Sequence, residues 1–164
     1  MRFYESQVLP RALNLACGGR MAEPLRRRVR AGLAGEVVEI GFGSGLNIPF
    51  YPAAVTRVAA VEPSDLAWQL AGRRLTAASV PVQRSGLDGQ SLPFADGSFD
   101  AALSTWTLCT IPDAAAALRE VQVGIHHRDA RRSQFHAPVE GNTRTRIVTV
   151  PCRSQAALLL AGTR

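Results

Sequence analysis

Two kinds of hydrophobic spacing divide the chain. Residues 3–33 carry apolar side chains three to four positions apart, as at Leu25, Val29 and Leu33, which predicts amphipathic helices. The four arginines of the second helix, Arg26, Arg27, Arg28 and Arg30, are then mostly on its solvent side. From residue 36 the pattern changes to short β-branched runs that end at turn residues. Such runs predict strands at 37–40, 55–61, 80–83 and 99–105, and helical spacing covers 65–77 and 113–123. Strands that alternate with helices in this way predict βαβ units and a parallel sheet.

The last quarter of the chain has a different composition. Residues 1–120 carry 12 Arg against 11 acidic residues, whereas residues 121–164 carry 7 Arg against 2 acidic residues and all three histidines. In this part Arg146–Val150 resembles a strand, and the pattern of Gln155–Ala161 is compatible with a short helix or a strand. We therefore predict a core at 1–123 and an atypical basic tail at 124–164, whose composition allows it to be disordered.

Length and composition restrict the class of protein. A chain of 164 residues that is 46% hydrophobic and 20% charged is typical of one globular domain. Its longest unbroken apolar run, Ala156–Ala161, is far shorter than the ~20 residues of a membrane-spanning helix, and its start lacks the pattern of a secretory signal. We expect a soluble, cytoplasmic protein. The adjacent His126 and His127 lack a third ligand, so we predict no metal site.

The segment 39–45 carries the most information about chemistry. A predicted strand ends at the turn Gly41-Phe42-Gly43-Ser44-Gly45, where glycine allows a ligand to contact the backbone. In a doubly wound sheet this turn lies at the carboxyl end of the first strand, where ligands bind. The spacing differs from the dinucleotide fingerprint because the third glycine comes one residue early. Glu39 would also repel a pyrophosphate, whereas it would attract an ammonium or sulfonium group.

Acidic residues follow the next two predicted strands. Glu62 ends the second strand about 20 residues after the glycine turn, where an acid accepts hydrogen bonds from ribose hydroxyls. Asp88 and Gly89 follow the third strand. A carboxylate there can accept a hydrogen bond from the exocyclic amine of a base, while a backbone N–H meets a ring nitrogen. The three strand ends thus suit an amino-acid moiety, a ribose and an adenine.

Together these segments resemble the class I S-adenosylmethionine-dependent methyltransferases, and more narrowly the methyltransferase type 11 group, which includes the ubiquinone/menaquinone C-methyltransferases. The likeness covers about residues 36–123 and is most specific in Gly35–Pro52. It implies an α/β fold with a Rossmann-like parallel sheet and flanking helices, S-adenosyl-L-methionine as cofactor, and methyl transfer to a small-molecule acceptor. The residues that it implies for cofactor binding are Glu39, Gly41, Gly43, Ser44 and Gly45 at the methionine end, Glu62 at the ribose, Asp88 and Gly89 at the adenine, and Thr105 beside the cofactor. It assigns no catalytic residue.

The likeness ends after about Val123. Where the family pattern has a Pro-Gly-Gly segment and a fifth strand, this chain continues with Gly124-Ile125-His126-His127. We interpret the change as a shifted reading frame or a truncation, and expect the sheet to be incomplete after the fourth strand. Two alternatives to an active enzyme stay open: a non-catalytic methyltransferase remnant, and a protein that binds nucleic acid through its basic tail. The tail arginines lack an accompanying aromatic platform, which argues against a nucleic-acid partner.

Overall fold

The chain forms alternating strands and helices. The computed structural model describes Arg11, Asn14 and residues 22–30, 32–125 and 146–150. Its elements are helix α1 (Glu23–Arg30), strands β1 (Gly35–Ile40) and β2 (Val55–Val61), helices α2 (Asp65–Leu70) and α3 (Gly72–Thr76), strands β3 (Val82–Gly86) and β4 (Ala101–Thr105), helix α4 (Ala114–Gly124) and strand β5 (Arg146–Val150). Two short 3-10 helices, Ile48–Phe50 and Leu108–Thr110, follow β1 and β4. The predicted α/β class is confirmed, with the helix expected at 65–77 divided into α2 and α3.

The strands form one parallel sheet in the order β3-β2-β1-β4-β5. Because β1 is central, the chain builds the sheet outward on one side through β2 and β3 and on the other through β4 and β5. Ile40, at the end of β1, is in register with Val61 on β2 and Ser104 on β4. The carboxyl ends of these three strands therefore lie side by side, at the edge where open parallel sheets bind ligands.

The sheet continues for one strand beyond the fourth. β5 pairs in parallel with β4, from Ala101 opposite Arg146 to Thr105 opposite Val150. This strand is the part of the tail for which the sequence pattern predicted extended structure. We expected the sheet to be incomplete after the fourth strand; the structure places β5 there. In the tail, the structure describes only residues 124, 125 and 146–150. The remaining predictions for 124–164 therefore lie outside the described residues.

Apolar layers cover both faces of the sheet, because successive side chains of a strand point to opposite sides. One layer includes Val37, Phe42 and Leu103. The other includes Ile40 and Phe99. Both layers contain residues of β1, so the central strand is enclosed and the turn that follows it is held on a rigid base. None of the helices in the described ranges is long and apolar enough to cross a membrane.

Candidate functional site

The turn after β1 has the backbone conformation that its glycines predict. Gly41, Gly43 and Gly45 have φ angles of 71°, 59° and 72°. At the start of the turn, the N–H groups of Gly41 and Phe42 donate to the carbonyl oxygen of Val61 at 2.9 and 3.2 Å. The turn is therefore anchored to the carboxyl end of β2.

The three glycines of this turn have different surroundings. A Cβ atom at Gly41 would lie 2.0 Å from Cγ2 of Thr107, and one at Gly45 would lie 2.8 Å from Cδ1 of Ile48. Packing thus excludes a side chain at Gly41, whereas a side chain at Gly45 would require the end of the Ile48 side chain to shift. At Gly43 the nearest neighbour of such an atom would be the Gly41 carbonyl oxygen, at 3.9 Å. The backbone at Gly43 faces open space, where a ligand can approach it closely.

The carboxylate of Glu62 holds the turn from the neighbouring strand. Its Oε2 accepts a hydrogen bond from the Gly43 N–H at 2.7 Å, and its Oε1 accepts one from the Ser64 N–H at 2.8 Å. Burial raises the pKa of Glu62, while these two backbone donors and the charge of Arg84 act in the opposite direction. The structure therefore brings Glu62 to the open part of the glycine turn.

Glu39 is fully buried under the segment into which the turn leads. Its Oε1 accepts a hydrogen bond from Nδ2 of Asn47 at 2.7 Å, and its Oε2 accepts one from the Tyr51 hydroxyl. Burial raises the pKa of Glu39 to about 7, although both hydrogen bonds and the positive charge of Arg26 favour the ionised form. Burial and the neighbouring carboxylate likewise raise the pKa of Tyr51. Both oxygens of Glu39 are thus occupied by protein donors.

Asn47 joins Glu39 to the end of β4 and to α1. Its Nδ2 also donates to Oγ1 of Thr105 at 3.0 Å, and its Oδ1 accepts a hydrogen bond from Nη1 of Arg26. Thr105 is 8% exposed and Asn47 is 4% exposed. The structure therefore brings Thr105 and Glu39, both expected beside the cofactor, to the same nitrogen of one buried amide.

The Arg26 guanidinium completes this network from α1. Its Cζ lies 4.7 Å from the centroid of the Trp106 ring, and the residue is 5% exposed. Trp106 has a φ of 56°, a conformation that is strained for a side chain of this size. The prediction that the arginines of α1 lie on the solvent side is wrong for Arg26. Its spacing from Val29 and Leu33, three and seven residues, is the signal that could have placed it on the apolar face.

Ser44 contacts two elements outside the turn. Its hydroxyl donates to Oδ1 of Asn14 at 2.6 Å, and its carbonyl oxygen accepts a hydrogen bond from Arg74 at 2.9 Å. Ser44 is 6% exposed. Its side chain therefore links the turn to the N-terminal part of the chain, while its backbone is held by α3.

Asp88 and Gly89 lie on the loop after β3. Asp88 is exposed, and its Oδ1 accepts a hydrogen bond from the Gln90 N–H at 2.8 Å. Gly89 packs against the end of β1, since a Cβ atom there would lie 2.9 Å from Cγ2 of Ile40. The loop thus reaches the central strand through Gly89, and the Asp88 carboxylate remains accessible.

This edge of the sheet is suited to a cationic ligand. Two carboxyl groups with raised pKa, Glu39 and Glu62, lie at neighbouring strand ends, and a positive charge near either would stabilise its ionised form. The backbone beside Glu62 is open at Gly43. In the part of the chain that the structure describes, no group of three or more His, Cys, Asp or Glu residues could hold a metal ion.

Known methyltransferases are similar to this chain across the residues that form the site. Residues 38–123 match a family described as "Methyltransferase domain". The match ends at the position after which the sequence departs from the expected pattern. A phosphatidylethanolamine N-methyltransferase from Cereibacter sphaeroides is 28% identical over 115 residues, which are 63% of this chain and 53% of that protein.

Solved structures show the same fold. One is a Thermotoga maritima protein described as an S-adenosylmethionine-dependent methyltransferase and possible histamine N-methyltransferase. It is 28% identical to this chain with a TM-score of 0.56, and the match covers 76% of this chain and 56% of that protein. The [4+2]-cyclase SpnF is 23% identical with a TM-score of 0.55, over 63% of this chain and 41% of its own, and shares the fold alone. This chain spans about half the length of the relatives that it matches.

Proposed function

Since the chain belongs to the methyltransferase domain family, we propose that it binds S-adenosylmethionine at the turn after β1 and transfers the methyl group to a small-molecule acceptor. The observation that carries this proposal is the open backbone at Gly43, whose N–H donates to the carboxylate of Glu62, with a second, buried carboxyl group at Glu39 on the neighbouring strand end. A pyrophosphate would be repelled at such a position. A ligand with an ammonium and a sulfonium group is attracted there.

The residues present fit the parts of this cofactor. Glu62 would hold the ribose hydroxyls, because its carboxylate already accepts hydrogen bonds beside the open turn. Asp88 and Gly89 would hold the adenine, on the loop that contacts the end of β1. The turn 41–45 would hold the methionine end. Glu39 and Thr105 would act there through the buried amide of Asn47, since the carboxyl group of Glu39 is itself enclosed.

When bound, the cofactor supplies a methyl group on a sulfonium, which needs no further activation. The task of the protein is therefore to position donor and acceptor and to exclude water. The glycine turn is suited to positioning because β2, α3 and the Glu62 carboxylate all hold it. We assign no general base among the described residues.

Amines are the acceptor class to test first. Two similar proteins carry an amine substrate in their names, phosphatidylethanolamine in one and histamine in the other. A neutral amine has a free electron pair and can attack an electrophilic methyl group before it loses a proton. An amine acceptor is therefore compatible with a site to which we assign no base.

Isothermal titration with S-adenosylmethionine, S-adenosylhomocysteine and NAD tests the cofactor proposal. We expect the first two to bind and NAD not to bind. Glu62→Gln should weaken binding by about 10–100-fold, the value of hydrogen bonds to a charged acceptor. Glu36→Gln is the matched control, because Glu36 is half-exposed and pairs with Arg57 away from the turn. Binding of NAD alone, or equal losses in both variants, would contradict the proposal.

A second matched pair tests the adenine end. Asp88 and Asp96 are both exposed on the segment between β3 and β4. We expect Asp88→Asn to weaken the binding of S-adenosylhomocysteine and Asp96→Asn to leave it unchanged. The opposite order would place the adenine elsewhere.

Transfer of a labelled methyl group to a panel of amines then tests the reaction. Product formation on any amine, lost in Glu62→Gln and retained in Glu36→Gln, would support an enzyme. Cofactor binding without transfer to amines, phenols, thiols or activated carbon acids would instead favour the non-catalytic remnant. The described residues offer no support for nucleic-acid binding through the tail.

A further inference from the structure

The side chain of Arg26 crosses from α1 to the segment that follows the glycine turn. Its Nη1 donates to Oδ1 of Asn47, and its guanidinium lies over the ring of Trp106. Because Arg26 is 5% exposed, these contacts are shielded from water. One buried cation thus joins α1, the turn segment and the end of β4.

Arg26 determines which way the Asn47 amide faces. A guanidinium only donates hydrogen bonds, so the amide oxygen must be directed toward it. The two hydrogens on Nδ2 are then directed to Oε1 of Glu39 at 2.7 Å and Oγ1 of Thr105 at 3.0 Å. The reversed amide would set donor against donor at Arg26 and oxygen against carboxylate at Glu39.

We propose that Arg26 is a positioning residue for cofactor binding: through Asn47 it fixes Glu39 and Thr105, and so holds the glycine turn in its binding conformation. The inference rests on the proposed function. It extends the site to α1, which lies outside the residues matched to the family.

The charge of Arg26 gives this role a signature in the pH dependence of binding. The groups that act on the Glu39 carboxyl are the Tyr51 hydroxyl, the Arg26 guanidinium and the Glu62 carboxyl, besides the amide of Asn47. The positive charge of Arg26 lowers the pKa of Glu39, against the effect of burial. Removal of this charge should therefore raise the pKa of Glu39 further. A cationic ligand binds more tightly when Glu39 is ionised. The pH above which binding is strong should therefore move upward when the Arg26 charge is removed.

Titration of S-adenosylhomocysteine, which carries an ammonium group, into the full chain from about pH 5 to about pH 9 tests the proposal. We expect Arg26→Met to bind about tenfold more weakly near pH 7, as for the loss of a charge-assisted hydrogen bond, and to have its pH midpoint shifted upward. Arg28→Met is the matched control, because it removes the same charge from an exposed position of the same helix. It should match the wild type in affinity and midpoint.

Two results would overturn the proposal. One is an Arg26→Met variant with wild-type affinity and midpoint. The other is a loss of affinity that is the same at every pH, since that is the result of a merely structural role. If Arg26→Met does not fold, Arg26→Lys decides the question because it keeps the positive charge. The pH midpoint of its binding should stay near that of the wild type. A midpoint shifted upward would refute the coupling.

The proposed function can fail separately. If the wild type binds no S-adenosylhomocysteine at any pH, the cofactor proposal is wrong. The coupling of Arg26 to Glu39 is then judged from urea unfolding of the same variants across the same pH range. The free energy of unfolding should stop falling with rising pH at a higher pH in Arg26→Met than in Arg28→Met. Identical pH profiles of the two variants would refute the coupling.

Discussion

Replacing Glu39 by Gln should change how the stability of the protein depends on pH. Glu39 is fully buried and accepts hydrogen bonds from Asn47 and Tyr51. A glutamine has the same shape, and its oxygen can accept from the Asn47 amide. Its N–H can donate to the Tyr51 hydroxyl, which both donates and accepts. The variant therefore keeps the network and removes the titration.

The size of the effect follows from the pKa of Glu39, which burial raises from 4.5 to about 7. Between these values the native state holds a proton that the unfolded chain has released. Each pH unit in this window lowers the free energy of unfolding of the wild type by about 1.4 kcal/mol, which amounts to about 3 kcal/mol in total. The stabilisation is fully present below pH 4.5 and is lost as the pH rises through about 7.

Urea unfolding followed by the fluorescence of Trp68 and Trp106 measures this effect. The free energy of unfolding of Glu39→Gln minus that of the wild type should rise by about 3 kcal/mol from about pH 4 to about pH 8. The raised pKa of Glu62 acts in both proteins and largely cancels in the difference. Glu36→Gln, at a half-exposed ion pair, should show a difference within about 0.5 kcal/mol. A flat difference for Glu39→Gln would refute the reasoning.

Four further variants test the turn, a helix cap and the core. Gly41→Ala should lower the free energy of unfolding by more than about 2 kcal/mol, because its Cβ would lie 2.0 Å from Thr107. Gly43→Ala should cost only about 1 kcal/mol of backbone strain, but should weaken cofactor binding. Equal losses of stability in urea unfolding would contradict this difference. Asp113→Ala should cost about 1 kcal/mol, since Asp113 accepts from the Ala116 N–H at the start of α4, and an unchanged melting temperature would exclude the cap. Phe99→Ala should cost about 3–5 kcal/mol because Phe99 is 2% exposed, and a loss below 1 kcal/mol would show that the core refills.

The sequence pattern predicted the strands well because each has a β-branched or apolar run that ends at turn residues. Two of the errors in strand bounds have local causes. β3 begins at Val82 rather than Val80 because Pro81 cannot donate to the ladder, although its carbonyl oxygen accepts from Val58. β4 begins at Ala101 rather than Phe99, since the Phe99 N–H donates to the carbonyl oxygen of Gly124 at the end of α4.

The buried network could not be predicted from sequence in the same way. Its contacts join residues far apart in the chain, 21 positions between Arg26 and Asn47 and 58 between Asn47 and Thr105. Local periodicity describes one element at a time and does not state which elements meet. Asn47 and Tyr51 follow the glycine turn without belonging to its motif. They acquire a role only when the fold sets them around Glu39.

The cost of this network supports a functional origin for it. Burying a charged group requires compensation, and apolar side chains of similar volume often stabilise a fold as well or better than a buried polar cluster. Here an enclosed Glu39, a buried Arg26 and a strained Trp106 occur together. Backbone strain and perturbed carboxyl groups concentrate at functional sites, where the surrounding fold holds them in place. The same strand ends carry the open backbone at Gly43, so the part of the fold that departs most from simple packing is also the part that can receive a ligand.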